Sequence, residues 1–120
     1  MTLHESIESL KKDLQHLHTY YETHEKPENK RDPAFFEYVK EETTPIYKKI
    51  KAWEQEALAF VKDREVRVHP QQVASTAENL ELLLMHSYYI DVRKKRYMEL
   101  YKSVEYVFDL LLKDLRAKNS

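Results

Sequence analysis

The chain contains no glycine and no cysteine in 120 residues. Glycine enters positive-φ conformations without steric penalty, so the loops that wrap phosphate groups are built from it. Cysteine supplies thiolate nucleophiles, disulfides and many zinc sites. The double absence excludes a glycine-rich phosphate loop, a dinucleotide fingerprint, a GxSxG nucleophile elbow and every cysteine-based site. It also leaves the chain able to turn only at proline or at short polar runs. A chain so restricted is expected to be all-α.

The apolar pattern agrees. Thr2-Leu3-His4-Glu5 has the form of a capping box, and the stripe Leu3, Ile7, Leu10, Leu14, Leu17, Tyr21 follows it in alternating steps of four and three. His24 continues that stripe, and the polar run from Glu25 to Arg31 ends it, giving a helix over about 2–25. Asp32-Pro33 restarts a helix with an N-cap and a proline at the first helical position. Its stripe is Phe36, Val39, Thr43, Ile46, Ile50, Trp53, Ala57, Phe60, running to about Asp63 or Arg64. Pro45 lies inside this segment. The stripe keeps its phase across the proline, so one helix over 33–64 with a kink near Pro45 is favoured over two helices.

Val66 to Pro70 form the next linker, and Pro70 opens a helix with the stripe Val73, Ala77, Leu80, Leu84, then Ser87 or Tyr88. The last stripe is Tyr97, Leu100 or Tyr101, Val104, Phe108, Leu111, Leu115. No glycine or proline separates the two. A single helix over 70–117 would be about 70 Å long, twice the length of the first helix at 1.5 Å per residue, and half of it would lack a partner in a monomer. A tight turn between Tyr89 and Arg96 is therefore expected, with helices over 70–90 and 94–117. The expected architecture is one domain over 1–120, an up-and-down antiparallel four-helix bundle. A long helix completed by a second chain is the alternative.

The run Phe35-Phe36, Lys40, Trp53, Ala57-Leu58, Val61-Lys62 resembles the second helix of the YppE-like family. Val68-His69, Leu80, Ser87-Tyr88, Lys94-Lys95-Arg96 and Ser103-Val104 follow in the same order and at similar spacing. The resemblance covers about residues 32–117, while the first helix matches in pattern only. It is the ordered set that is specific, and no single motif within it. The family consists of small proteins of Gram-positive bacilli and relatives. The resemblance implies an up-and-down four-helix bundle of uncharacterised function, and it carries over no catalytic residue.

Net charge is −1, so no whole-molecule field points to nucleic acid or membrane. Apolar runs such as Leu82 to Met85 fall far short of the roughly 20 residues of a membrane span. Acids arrive at once after Met1, unlike a signal peptide. A cytoplasmic protein without a membrane partner is expected.

Six histidines invite a metal reading. Only Asp13 and His16 approach the acid-x-x-His spacing of di-iron bundles, and His-Glu-x-x-His is absent. His4 with Glu8 and His18 with Glu22 read as surface pairs. His86, near Tyr88 and Tyr89, reads as a hydrogen-bonded histidine, with a ligand site shared between helices as the alternative. No metal, cofactor or catalytic residue is expected. Acids fall on polar faces, except Asp91 near the proposed turn, and Ser87 and Ser103 have no local nucleophile motif.

Arg93-Lys94-Lys95-Arg96 is the densest charge run, with Tyr88, Tyr89, Tyr97 and Tyr101 around it. Basic groups beside aromatic rings suit single-stranded nucleic acid. The plainer reading is a solvated turn that offsets the negative end of the third helix. Tyr21, Tyr47, Tyr97, Tyr101 and Trp53 are expected on or beside the seams, with Tyr20, Tyr38, Tyr89 and Tyr106 at the edges. One ring of Phe35-Phe36 is expected in the seam and the other over the bundle end. The functional expectation is a non-enzymatic protein-interaction module, monomer or homodimer, whose candidate surface is Phe35, Tyr89 and Arg93 to Arg96. Nucleic-acid binding and a metal or small-ligand site between helices are the alternatives.

Overall fold

The computed structural model describes residues 2–62 and 66–118. It contains four helices, α1 (Leu3–Thr23), α2 (Pro33–Lys62), α3 (Pro70–Tyr88) and α4 (Lys94–Lys118). They form an all-α four-helix bundle measuring 51 × 28 × 21 Å. The single long helix over 70–117 is excluded. The expected end of the second helix at Asp63 or Arg64 lies outside the described residues.

Each helix start follows from local chemistry. The Thr2 Oγ1 accepts the Glu5 N–H at 3.1 Å, and Glu5 Oε1 accepts the Thr2 N–H at 3.0 Å. These bonds occupy amide donors that no helical carbonyl can reach. Asp32 Oδ1 accepts the Ala34 N–H at 3.0 Å, ahead of α2. At α3 the Gln72 side chain accepts the His69 N–H at 2.9 Å, and Pro70 has no amide proton to satisfy.

Helix α2 runs through Pro45 without interruption. The proline removes the donor that Glu41 C=O would otherwise receive. Thr43 and Thr44 turn their hydroxyls back onto the Val39 and Lys40 carbonyls, at 2.8 and 2.6 Å.

The helices are not equivalent. α1 and α3 each touch the other three, whereas α2 and α4 lie on opposite flanks. The flanks meet through side chains, Trp53 against the edge of Phe108 at 5.3 Å between ring centroids. Helix α3 buries a wide face that includes Val73, Thr76, Ala77, Leu80, Leu83, Leu84, Ser87 and Tyr88.

The turn between α3 and α4 is built from side chains in place of glycine. The Tyr21 hydroxyl donates to Val92 C=O at 2.8 Å, and His86 Nδ1 meets Ile90 C=O at 2.9 Å. A carbonyl can only accept, so His86 donates from Nδ1. The backbone N–H groups of Tyr89 and Ile90 both close on Met85 C=O.

Four placements differ from the seam expectations. Phe36 is 53% exposed, and Phe35 is the ring turned inward. Steps of three and four both lead back from Val39, and the four-step ring is the one that finds Tyr38 and Tyr89. Tyr47 is 47% exposed, at the edge where α2 faces α3. His24 is exposed at the end of α1, where it stacks on Tyr20 at 3.9 Å. Asp91 is exposed, and the acid that enters the core is Asp114, at 7% exposure.

Asp114 sits three residues beyond Leu111, beside the expected stripe. Its Oδ2 accepts the Arg67 N–H at 3.0 Å, and its Oδ1 lies 3.8 Å from the Arg67 guanidinium. It thereby ties the linker before α3 to the end of α4. Asp114→Ala is expected to cost about 1–3 kcal/mol, because a backbone N–H loses its acceptor. Asp114→Asn keeps an acceptor and should lose less; urea unfolding of the two variants measures the difference.

Candidate functional site

The basic cluster opens α4. Lys94 Nζ lies 3.1 Å from Glu22 Oε1, and the same carboxylate oxygen accepts from His18 at 3.1 Å. The bond from Lys94, supported by His18, holds the Glu22 carboxyl below the usual range. Arg96 meets Glu99 at 3.6 Å. Arg93 accepts the Tyr97 N–H with its carbonyl, at 3.0 Å, and Lys95 is exposed. Two of the four cations thus already have carboxylate partners.

The rings expected around this cluster lie elsewhere. Tyr88, Tyr97 and Tyr101 are buried. Tyr97 stacks on Tyr21 at 4.0 Å and shares a 2.9 Å hydrogen bond with Ser87. These faces are taken by the core and offer no platform for a base. Tyr89 is half-buried and meets Phe35 edge-on at 5.1 Å. The candidate residues therefore divide: Arg93 to Arg96 are exposed, whereas Phe35 and Tyr89 are half-buried against each other.

The second part borders a feature that the seams did not reveal. A cavity of about 490 Å³ opens between α2 and α3. Val39 and Leu84, both buried, form its floor. Phe36 and Tyr47 of α2 line it, as do Met85, 45% exposed, and Tyr89 of α3. Thr43 and Thr44 complete the α2 wall.

Two charged side chains line the groove. Glu81 is held by Lys51 at 3.0 Å. Lys40 makes no ion pair among the described residues. The Tyr89 hydroxyl oxygen is buried and has no hydrogen-bond partner among the described residues. Burial, and then the Asp32 charge, raise its pKa. The groove is therefore apolar, with one exposed cationic donor at its edge, Lys40.

A sequence signal for this groove exists. Phe36, Lys40, Thr43 or Thr44, and Tyr47 recur in steps of three and four, beside the core stripe of α2. Met85 and Tyr89 are four apart on α3. Two stripes on one helix normally mean two buried faces. Here the second stripe meets no helix.

The histidines remain dispersed. His4 faces Glu8 at 4.0 Å, and no group of three His, Asp or Glu side chains among the described residues could hold a metal ion. No described helix is long and apolar enough to cross a membrane.

Comparison with known proteins identifies one family. The model of a family described as a bacterial domain of unknown function (DUF1798) matches residues 7–115. No curated protein matches the chain, and no solved structure does.

Proposed function

The chain belongs to this bacterial family of unknown function, and from that premise we propose that it is a non-enzymatic module that binds another protein through the α2–α3 groove. The observation that carries this reading is the exposure of Phe36, Tyr47 and Met85 around one apolar cavity. Contiguous exposed apolar side chains cost solubility, and in soluble chains they mark contact surfaces. Methionine and aromatic rings are the side chains that interfaces favour. A cytoplasmic location fits this role, as does the YppE-like resemblance, whose residues 32–117 lie largely within the matched family region.

Photo-crosslinking tests the reading. A benzophenone amino acid replaces Tyr47, and the adduct formed in native cells is digested and sequenced. The expected adduct is a defined segment of one other protein, which then binds the purified chain and is lost with Met85→Lys. That substitution is at an exposed position and should change stability by less than about 0.5 kcal/mol. Adducts only with a second copy of the chain, or none with Tyr47 replaced, would overturn the reading.

A further inference from the structure

We infer, resting on the reading just proposed, that the occupant of the groove is an amphipathic helix of about three turns, carrying an acidic side chain for Lys40. The dimensions point to a helix. Phe36 and Tyr47 are eleven residues apart on α2, about 16 Å at the helical rise. A bound helix spans the same length with apolar residues at i, i+3 or i+4, i+7 and i+10 or i+11. The groove is open along its length, with Phe36, Tyr47 and Met85 each about half exposed. Its walls are α2 and α3, and it is open to solvent rather than enclosed.

The charge comes from what is left unpaired. Glu81 has Lys51, so it repels no incoming carboxylate at full strength. Lys40 has no ion-pair partner among the described residues. The Lys40 ammonium is exposed, and a carboxylate on the incoming helix accepts from it. A basic flank on the incoming helix would place two cations at one apolar rim.

Two fluorescein-labelled synthetic peptides of fourteen residues test this. They share one leucine stripe and differ in a single flank, acidic in one and basic in the other. At low ionic strength the acidic peptide is expected to bind about threefold more tightly, the scale of one exposed ion pair. Lys40→Glu should reverse the preference, and Met85→Lys should remove binding of both. Equal affinities for the original chain and for Lys40→Glu would overturn the acidic partner. Binding of neither peptide would overturn the helical occupant. Displacement of the acidic peptide by dodecanoate at a lower concentration than by unlabelled peptide would assign the groove to a small amphiphile and overturn it too. Each of these failures is separate from failure of the protein-binding reading, because the Tyr47 adduct reports a partner of any chemistry.

Discussion

Trp53→Ala is expected to lower the free energy of unfolding by about 3–5 kcal/mol, the largest loss for any single truncation in this chain. Trp53 is fully buried, with 0% of its surface exposed. Its ring meets Phe108, and that contact joins two helices whose backbones do not approach each other. Alanine would leave a void between α2 and α4 that neither flank can close without moving past the central pair. A loss of this size shifts the thermal midpoint by roughly 12–20 °C in a domain of this length. Trp53 is the only tryptophan, so far-UV circular dichroism during urea unfolding is the suitable readout. Trp53→Phe gives the informative contrast. The Trp53 indole N–H is buried without a hydrogen-bond partner among the described residues. Phenylalanine removes that unsatisfied donor while it keeps an aromatic edge for Phe108. Its loss should be well under half that of alanine. Equal losses from the two variants would show that ring contact with Phe108 contributes little.

Alkaline pH is expected to destabilise the fold steeply. Burial pushes the Tyr97 hydroxyl up to about 12, with the Ser87 hydrogen bond acting weakly the other way. Burial raises the Tyr88 hydroxyl still further, and those of Tyr20, Tyr21 and Tyr101 also rise. In the unfolded chain each phenol loses its proton near pH 10. In the folded chain Tyr88 and Tyr97 keep theirs above that pH. The unfolded state therefore binds fewer protons, and stability falls as pH rises. The contribution is fully present below pH 10 and is lost between about pH 10 and 12, at about 1.4 kcal/mol per pH unit for each buried phenol. Urea midpoints at pH 9, 10, 11 and 11.5 measure it. Tyr97→Phe cannot ionise and should flatten the decline. A midpoint unchanged up to pH 11.5 would contradict the burial of these hydroxyls.

Much of the fold is legible in the residues themselves. The capping box at Thr2, the Asp32-Pro33 pair and Pro70 each announce a helix start through groups that satisfy or remove orphan amides. The turn between α3 and α4 is legible by a different route: length excludes one continuous helix before any turn residue identifies the break. What the residues do not disclose is which helices are central. Periodicity assigns each helix one inward stripe, yet α3 and α4 each bury a wider face, taking in Thr76 and Leu83 or Val107 and Leu112 beside the expected stripe. The same packing order leaves Phe36 and Tyr47 outside, on a stripe that looks no different from a buried one. Asp114 follows Leu111 at core spacing, but its carboxylate enters the core only because the Arg67 amide comes to meet it. That encounter depends on the path of the linker, which no local pattern encodes.

The side-chain construction of the last turn has a practical consequence. No described residue has positive φ, and no described peptide bond is cis. No described position depends on the one residue that lacks a side chain beyond hydrogen. A β-carbon is tolerated at every described site, since every described site already carries one. An alanine scan of this chain therefore reads lost contacts with no left-handed backbone penalty mixed in. Mutational maps of most domains contain sharp minima at glycine positions that reflect conformation alone. Here the deepest minima should fall at fully buried positions such as Trp53, and a minimum at Lys40 or Met85 in a binding assay would belong to the partner.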